Sequence, residues 1–309
     1  MDAPHVRELG LLRWIRGEAS ADGSVLVGIG DDAALVRNRG ESTLVTIDLL
    51  VAGVHFDPAT ASPREAGWKA LARNISDIAA MGGRSTAAVV AAALPRGYPP
   101  RDAQALVRGI LDCAEEFQVS LVGGDVAATP GPLVLAVTLL GDLGGRPPIL
   151  RSGARPGDAI LVTGTLGGSM LGRHLRFRPR QPEGLLLAER YRPHAMIDIS
   201  DGLARDLHHI LAESRVGARL LAERIPLSDD ALRAARASGR SPLEHALGDG
   251  EDYELLFTLD AATASRLLAE QPLGVAATQI GHITEQGATI VLPDGVERPL
   301  EPTGWEHTT

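Results

Sequence analysis

A segment rich in glycine, proline and arginine, GDLGGRPPILRSGARPGD at residues 141–158, interrupts the pattern of strands and helices near the middle of the chain. Clusters of these residues favour turns and irregular backbone, so we interpret the segment as a linker or a crossing between two domains. A chain of 309 residues is long enough for two domains, and its 44% of hydrophobic residues can supply a core. We therefore predict domains at residues 1–145 and 146–309.

The N-terminal half contains short apolar runs bounded by turn residues, a pattern typical of β-strands. Ser62, Pro63 and Glu65 form a helix start signal, because they supply an N-cap, a proline at the first helical position and the acid of a capping box. This helix is predicted to end at Gly82-Gly83, and a second helix to run roughly from Arg101 to Phe117. The predicted buried stripe of the first helix is Leu71, Ile75 and Ile78. The predicted strands lie near 24–29, 34–37, 43–49, 85–94, 119–122 and 132–140.

The C-terminal half repeats the mixture of strands and helices without steady βαβ units. This irregular alternation favours an α+β architecture for both domains over a Rossmann sheet. A strand at 159–163 leads into the glycine-rich turn TGTLGGS, and the short strand AMIDI leads into the helix LARDLHHILAES. Further helices are predicted near 167–176 and 182–190, and further strands near 217–221, 253–259, 276–283 and 288–292.

The composition limits the partners of the chain. A net charge of −9 and a pI of about 5.5 argue against a nucleic-acid-binding surface and against a polybasic membrane patch. Cys113 is the only cysteine, which excludes an internal disulfide and a cysteine-based zinc site and favours a cytoplasmic location. The first residues are too polar for a signal peptide, and no apolar run reaches the ~18–20 residues that span a bilayer.

Acidic residues cluster at predicted strand ends and glycine turns. The motif GIGDD at residues 28–32 places Asp31 and Asp32 after a short apolar run. Oxygen ligands gathered at strand ends suit Mg²⁺, which keeps waters and substrate phosphates in its coordination shell. Asp77, by contrast, lies on the first predicted helix. The other acidic positions are Asp48 at the end of LVTID, Asp125 after Gly123-Gly124, Asp198 and Asp201 in IDISDG, and Glu251 and Asp252 after Gly250.

Each of these positions also has a purely structural interpretation. GIGDD and the GGD that contains Asp125 are compatible with ordinary turns. Asp77 is spaced to pair with Arg73 on an exposed helix face, and Ser200-Asp201 is spaced to cap a helix. Asp48 is harder to explain in this way, because a buried, unpaired carboxylate is costly and the apolar residues that follow it predict burial.

The chain lacks the usual phosphate-binding loops of nucleotide-dependent enzymes. Lys69 is its only lysine, and its context, GWKAL, does not match GxxxxGK[ST]. A kinase-type glycine loop with a strand lysine is also missing from the sequence. If the chain binds a nucleotide, metal ions must therefore neutralise most of the phosphate charge, with help from arginines such as Arg151.

Seven motifs together resemble the thiamine-monophosphate kinase family, in the order in which that family has them. They are GIGDDAAL, TIDLLVAGVHF, ARNISDIAAMGG, LVGGD, ILRSGARPGD, IDISDGLARDL and GEDYELLF. The resemblance extends from about residue 8 to Trp305. The wider superfamily includes aminoimidazole ribonucleotide synthase, selenophosphate synthetase and a hydrogenase-maturation protein, all of which bind ATP without a P-loop. The AGVHF and GEDYELLF segments are those of the thiamine branch.

The resemblance implies a reaction and an assembly. The enzymes of this family transfer the γ-phosphate of ATP to thiamine monophosphate, and form thiamine diphosphate and ADP. They are homodimers whose N-terminal domains, here residues 1–145, bind ATP and Mg²⁺ and join their strands into a barrel. Residues 146–309 would complete the substrate site. The acceptor phosphate is already ionised near neutral pH, so no side chain is expected to act as an acid or a base.

The resemblance also implies a set of site residues. Position 47 is often threonine in the family, and Ile47 could ligate a metal only through its carbonyl. Structural alternatives remain for two substrate residues: Trp305 as an aromatic packed on the core, and His55 as a strand-end histidine that bonds nearby backbone. The implied Mg²⁺ ligands are Asp32, Thr46, Ile47, Asp48, Asp77, Asp125, Asp198 and Asp201. The implied ATP contacts are Gly124, Asp125, Arg151 and Ser200, and the implied thiamine monophosphate contacts are His55, Glu251 and Trp305.

Two other functions remain compatible with the sequence. One is a different ATP-dependent synthase of the same superfamily, which would act through a phosphorylated intermediate. The other is a non-catalytic protein that binds a Mg²⁺-nucleotide or a thiamine phosphate. The intact aspartates favour an active enzyme, and His55 with Glu251 favours the thiamine substrate.

Overall fold

The computed structural model describes residues 25–27, 31–32, 34–38 and 41–306. The first three residues of GIGDD, at 28–30, lie outside the described residues, as do the predicted strand ends at 24 and at 28–29. The described chain forms two β-sheets with helices packed against them. This confirms the predicted mixed architecture of helices and strands.

The first sheet has six strands in the order β1-β2-β3-β6-β4-β5. Neighbouring strands are antiparallel, except that β4 and β5 are parallel. Apolar residues on one face of β3 and β6 form the core of this half with the first two helices. The strands are β1 (Val25–Val27), β2 (Ala34–Asn38), β3 (Glu41–Val51), β4 (Arg84–Pro95), β5 (Ser120–Thr129) and β6 (Val134–Asp142).

The first helix follows its sequence signals closely. Helix α1 (Pro63–Ala80) begins after Ser62, whose side chain and Glu65 form the predicted capping box. Its predicted stripe, Leu71, Ile75 and Ile78, is completely buried. Helix α2 (Pro100–Glu116) packs across α1.

Two glycines permit the close approach of α1 and α2. A Cβ atom at Gly67 would collide with the carbonyl oxygen of Leu106, and a Cβ atom at Gly109 would collide with the carbonyl oxygen of Arg64. Any larger residue at either position would force the two helices apart, because backbone atoms cannot move aside as a flexible side chain can. The path of α1, which carries several site residues, therefore depends on this contact.

The second sheet has seven strands in the order β13-β12-β9-β11-β7-β10-β8. Its strands are antiparallel to their neighbours, except that β9 and β12 are parallel. The predicted bounds at 159–163 and 217–221 are confirmed. The strands are β7 (Ala159–Thr163), β8 (Ala195–Asp198), β9 (Gly217–Leu221), β10 (Leu255–Leu259), β11 (Ala277–Thr284), β12 (Ala288–Val291) and β13 (Glu297–Pro299).

The helices of this half differ more from prediction. The helix predicted near 167–176 is wrong, because Gly168 and Gly172 have positive φ angles of 71° and 123° and leave only short 3₁₀ turns at 169–171 and 173–175. The helix predicted near 182–190 becomes a short α-helix followed by a π-helical turn at 187–191. The sequence analysis missed β13 and the helices Asp229–Ser238, Pro242–Gly248 and Ala261–Glu270. The helices are α3 (Gln181–Leu186), α4 (Leu203–Ser214), α5 (Asp229–Ser238), α6 (Pro242–Gly248) and α7 (Ala261–Glu270).

Two acidic residues lie within strands rather than at strand ends. Asp48 is inside β3, because Leu49, Leu50 and Val51 continue to pair with β6. Asp125 is inside the edge strand β5, which pairs with β4 as far as Thr129. The prediction that both carboxylates end their strands is therefore wrong.

Helix α1 contacts both halves of the chain. Its Ser76 donates a hydrogen bond to Asp198, at the end of β8 in the second sheet. Close by, the backbone N–H of Ser85 donates to the side chain of Gln181 at 2.7 Å. In sequence, the strands of the first sheet precede residue 145 and those of the second sheet follow it. The domain boundary at this residue stays a prediction. Among the described residues, no helix combines the length and the apolar character needed to cross a bilayer.

Candidate active site

Three aspartates from distant parts of the chain converge beside α1. Asp32 precedes β2, Asp77 lies in the last turn of α1 and Asp198 ends β8, and one carboxylate oxygen of each lies within 4.8 Å of the others. Burial, followed by the negative charge of neighbouring aspartates, raises the pKa of Asp77 and of Asp198 well above the usual range. A divalent cation would relieve this repulsion, so the donor set fits Mg²⁺.

Hydroxyl groups hold two of these carboxylates in place. Thr46 on β3 donates a hydrogen bond from Oγ1 to Asp77 Oδ2 at 2.6 Å, and Ser76 donates from Oγ to Asp198 Oδ2 at 2.6 Å. Within the described chain, Asp77 does not pair with Arg73, so the surface-pair interpretation of Asp77 is wrong. Arg73 instead approaches Asp48, with 3.4 Å between Nη2 and Oδ1.

Arg151 stabilises the two adjacent carboxylates of GIGDD. Its guanidinium binds Asp32 side-on, with Nε 3.2 Å from Oδ2 and Nη2 2.8 Å from Oδ1. Its backbone N–H donates to Asp31 Oδ1 at 2.6 Å. Arg151, which follows the first sheet in sequence, thus neutralises negative charge on the two aspartates that precede β2. The plain-turn interpretation of GIGDD does not account for these contacts.

A second acidic group lies at the start of α4. Ligand atoms of Asp201, Asp206 and His209 lie within 4.8 Å of one another. Asp206 Oδ2 accepts hydrogen bonds from the backbone N–H groups of Asp201 and Gly202, at 3.0 and 3.1 Å. Gly202 is the N-cap residue and no side chain caps the helix there, so the interpretation of Ser200-Asp201 as a cap is wrong.

Burial shifts the pKa values of two members of this second group, each in favour of its uncharged form. Burial, with the charges of Asp201 and Asp198, raises the pKa of Asp206 well above the usual range. Burial and the positive charge of Arg151 lower the pKa of His209 to about 4. The sequence analysis missed Asp206 and His209, although their spacing of three residues on a predicted helix places them on one face.

Not all of the site residues predicted on the first sheet lie near the three-aspartate cluster. Thr46 and Asp48 lie on the face of β3 that packs on α1, whereas Ile47 points to the opposite face and is 64% exposed. Gly124 and Asp125 lie on β5, three strand positions away from β3. At ~4.8 Å per strand this is ~14 Å. Within one chain, Asp125 therefore stands apart from the three-aspartate cluster.

The predicted substrate residues do meet. His55, Glu251 and Trp305 line one cavity of about 450 Å³, together with Ser200 and Asp201. They come from the turn after β3, the loop before β10 and the C-terminal segment. His55 and Trp305, 250 positions apart in sequence, thus line a single cavity with the turn after Asp198.

An unusual backbone conformation positions Glu251. Its φ angle is 57°, and the preceding Gly250 has a φ of 71°. A Cβ atom at Gly250 would lie 2.6 Å from the carbonyl oxygen of Ser200, so only glycine fits there. The N–H of Glu251 donates to that same oxygen at 2.7 Å. The loop before β10 is therefore tied to the loop after β8.

Lys69 places positive charge beside Glu251. This lysine, on α1, forms an ion pair with the carboxylate of Glu251 and donates to the carbonyl oxygen of His55 at 2.7 Å. Burial would raise the pKa of Glu251, but the neighbouring His174, Lys69 and Arg73 together lower it to about 2. Glu251 is consequently an anion at neutral pH. The sequence analysis noted Lys69 but assigned it no role here.

The structural alternatives for His55 and Trp305 have different outcomes. His55 Nδ1 accepts a hydrogen bond from the N–H of Val51 at 3.0 Å, as the backbone-bonding interpretation predicted. The residue nevertheless lines the cavity as well. Trp305 is 51% exposed, so its interpretation as a buried core aromatic is wrong. Its backbone N–H donates to the carbonyl oxygen of Asp201 at 2.9 Å, and Trp305 lines the cavity together with Asp201.

Comparisons with known proteins identify the family of the chain. Two family models match the chain: AIR synthase related protein, N-terminal domain, at residues 30–143, and AIR synthase related protein, C-terminal domain, at residues 155–292. The chain is 41% identical over 284 residues to the thiamine-monophosphate kinase of Rhodopirellula baltica, with 89% of both chains covered.

The chain belongs to the thiamine-monophosphate kinase family. It is also 33% identical to the thiamine-monophosphate kinase of Bacillus subtilis, over 97% of this chain and 99% of that one. A solved structure described as AaThiL complexed with AMPPCP and TMP superposes with a TM-score of 0.85 at 31% identity, covering 99% of each chain. The resemblance to the thiamine-monophosphate kinase family is confirmed.

A more distant structural neighbour shares the fold at low sequence identity. The hydrogenase maturation protein HypE in complex with ATP has a TM-score of 0.72 at 20% identity, with 97% of this chain and 96% of that one covered. At this identity the likeness extends to the fold only.

Proposed function

We propose that this chain transfers the γ-phosphate of ATP to the phosphate of thiamine monophosphate, and forms thiamine diphosphate and ADP. The observation that carries the proposal is that residues next to the carboxylate cluster in the chain also line the cavity. Arg73, which lines the cavity, lies one helical turn before Asp77 on α1, and the loop after Asp198 supplies Ser200 and Asp201 to the cavity wall. An acceptor bound in the cavity would present its phosphate to the cluster.

The aspartates serve as ligands for several Mg²⁺ ions in this proposal. When bound, Mg²⁺ supplies positive charge that neutralises the phosphates of both substrates. The protein contributes fixed geometry, because Thr46 and Ser76 hold the carboxylates of Asp77 and Asp198. The proposed ligands are Asp32, Thr46, Ile47 through its carbonyl, Asp48, Asp77, Asp125, Asp198 and Asp201.

ATP is proposed to contact Gly124, Asp125, Arg151 and Ser200. Arg151 and Ser200 lie near the cluster, whereas Gly124 and Asp125 are exposed on the edge strand β5. The absence of a P-loop fits this arrangement, since cations rather than lysine would neutralise the triphosphate. Relatives described with an ATP analogue or with ATP share the fold.

Thiamine monophosphate is proposed to bind through His55, Glu251 and Trp305. The thiazolium ring is cationic, so the ionised carboxylate of Glu251 complements it, and the half-exposed ring of Trp305 can cover an aromatic face. Mg²⁺ and phosphate are common to the reactions of the whole superfamily. Selectivity for thiamine must therefore come from these three side chains rather than from the aspartates.

The active unit is proposed to be a homodimer. Ile47, Leu49, Val89 and Leu140 are exposed, and strand register places them on the same face of the first sheet, opposite α1. An apolar sheet face with an open edge at β5 favours a second copy as its cover, which would extend the strands into the barrel expected for the family. Static light scattering checks this, because a fully active ~32 kDa monomer would contradict it.

The remaining parts of the proposal concern organisation. Residues 1–145 would form the unit that binds nucleotide and metal and dimerises, and residues 146–309 would complete the substrate site. A cytoplasmic location, where ATP is abundant, is part of the same proposal. Neither nucleic acid nor a membrane has a role in it.

A direct assay tests the reaction. The purified protein is incubated with ATP, MgCl₂ and thiamine monophosphate, and thiamine diphosphate is measured by chromatography. We expect product with Mg²⁺, none with excess EDTA, and a large loss of kcat in Asp198→Asn with a normal unfolding transition. A protein that binds both ligands but never forms thiamine diphosphate would show that the fold has lost its activity. Undiminished turnover in EDTA would remove the metal from the proposal.

A further inference from the structure

Two side chains that line the cavity interact both with carboxylates on the metal side and with Glu251 on the substrate side. Arg73 and Tyr253 both line the cavity. Arg73 approaches Asp48 on the metal side, and its positive charge acts on Glu251 on the substrate side. The hydroxyl of Tyr253 lies in the field of Arg73, Glu251, Asp48 and Asp198, while its ring stacks on Phe177 with centroids 3.8 Å apart.

Both side chains have hydrogen-bonding capacity that the protein does not use. Among the residues that the structure describes, neither Arg73 Nε nor the Tyr253 hydroxyl has a hydrogen-bond partner, although both atoms are buried. Arg73 Nη1 donates to the carbonyl oxygen of Leu49 at 2.8 Å, which fixes the guanidinium. Its Nη2 is 3.4 Å from Asp48, which is longer than a normal charge-assisted hydrogen bond.

The edge of a guanidinium formed by Nε and Nη2 is the one that binds an oxyanion side-on. In Arg151 this edge is occupied by the carboxylate of Asp32. In Arg73 the same edge lacks a close acceptor within the described chain. A buried donor left without a partner costs about 1–3 kcal/mol. A ligand oxygen at this edge would recover that cost.

Other arginines do not offer the same arrangement. Arg240 also lines the cavity, but its two terminal nitrogens donate to Asp249 and to the carbonyl oxygen of Glu244 at 3.0 and 2.9 Å. Arg146, Arg173 and Arg205 have buried Nε atoms without a partner in the described structure, yet none of them lines the cavity. Arg73 is thus distinguished by its position as well as by its unused donor.

We propose that the Arg73 guanidinium and the Tyr253 hydroxyl bind the acceptor phosphate of thiamine monophosphate, in a subsite between the metal cluster and Glu251. The inference rests on the proposed function. A phosphate oxygen accepts from Nε and Nη2 of Arg73, and the hydroxyl donates to a second oxygen. The subsite holds the dianion next to three carboxylates that would otherwise repel it, and aims it at the γ-phosphate of ATP.

The proposal predicts where selectivity for the phosphorylated substrate originates. Thiamine lacks the phosphate but retains both rings, so it would use His55, Glu251 and Trp305 and not the phosphate subsite. The ratio of the dissociation constants of thiamine and thiamine monophosphate isolates the contribution of the phosphate. Changes at Arg73 or Tyr253 should alter this ratio, while general damage to the cavity would weaken both ligands equally.

Isothermal titration calorimetry measures this ratio, with MgCl₂ and the ATP analogue AMPPCP present throughout. We expect Arg73→Gln to reduce the preference for thiamine monophosphate about tenfold or more, as loss of a hydrogen bond to a charged group does. Tyr253→Phe keeps the stacked ring and should reduce the preference between about twofold and tenfold. Arg64→Gln, on the exposed start of α1, is the matched control and should leave the ratio unchanged.

The outcomes separate the subsite from other roles. An unchanged ratio in both Arg73→Gln and Tyr253→Phe overturns the proposal, and a raised Mg²⁺ requirement with an unchanged ratio would mean that Arg73 acts only through Asp48. If the parent protein forms thiamine diphosphate while the ratio does not move, the subsite is wrong and the proposed function stands. If Arg73→Gln does not fold, Tyr253→Phe alone decides, since it removes one oxygen atom.

Discussion

The ammonium group of Lys69 lies against the carboxylate of Glu251, and this ion pair joins the two halves of the chain at the wall of the cavity. Lys69 belongs to α1 in the first half and has no exposed surface, whereas Glu251 belongs to the loop before β10 in the second half. His174 Nδ1 lies 2.7 Å from the same ammonium group. A proposed substrate residue is therefore set in place by the packing of the two halves of the chain.

We expect Lys69→Met to destabilise the protein by about 3–5 kcal/mol, because it leaves a buried carboxylate without its partner. The double variant Lys69→Met/Glu251→Gln should recover much of this loss, since it removes the orphaned charge as well. Urea unfolding of the parent, both single variants and the double variant measures the coupling. Additive losses would show that the two side chains do not stabilise each other.

Glu251→Gln should raise the KM for thiamine monophosphate about tenfold or more, because it removes the carboxylate charge that can face the cationic thiazolium ring or accept a hydrogen bond from the aminopyrimidine. The KM for ATP should change little. Steady-state kinetics with each substrate varied in turn measures both values. A rise in the KM for ATP alone would place Glu251 on the nucleotide side of the site.

The stability of the metal-free protein should fall as pH rises above about 4. Asp77, Asp198 and Asp206 have pKa values raised well above the usual range, so in this window these three carboxyl groups bind more protons in the folded state than in the unfolded state. His209, whose pKa is lowered to about 4, acts in the opposite direction below about pH 6.5, but it is one group against three. Deprotonation on raising the pH then favours unfolding. Urea midpoints at pH 5 and pH 8 in EDTA should show this fall, and Mg²⁺ should reduce it. Asp77→Asn should have a smaller pH dependence, and an equal one would contradict the assignment.

Gly67→Ala should lower the free energy of unfolding by about 3 kcal/mol or more, because its methyl group would press on the backbone of α2. Gly131→Ala is the matched control, since its nearest contact would be 3.4 Å away and its φ angle is not positive. Urea unfolding compares the two. Equal stability of both variants would show that α1 and α2 separate without cost.

Local signals predicted much of the fold. The start of α1 followed from Ser62, Pro63 and Glu65, since a capping box satisfies backbone donors within four residues. The ends of β3 and β5 did not follow, because Asp48 and Asp125 remain in their strands through pairing with neighbouring strands. Pairing partners far away in sequence decide where such strands end, and a single sequence does not display them.

The candidate site shows the same division between local and long-range information. Motifs predicted that His55, Glu251 and Trp305 act together, and all three line one cavity. The ion pair of Lys69 with Glu251 spans 182 positions and leaves no periodic signal in the sequence. The burial of a charged residue such as Lys69 can be predicted only once its ion-pair partner is known.

The buried position of Lys69, the only lysine of the chain, makes the protein an unusual object for labelling. Amine-directed dyes and cross-linkers would find the terminal amine and no accessible side-chain amine. Incorporation of ¹⁵N-labelled lysine, by contrast, would give one side-chain ammonium resonance, located beside Glu251 in the wall of the cavity. Ligand titrations followed at that nucleus would report occupancy of the pocket without any introduced probe.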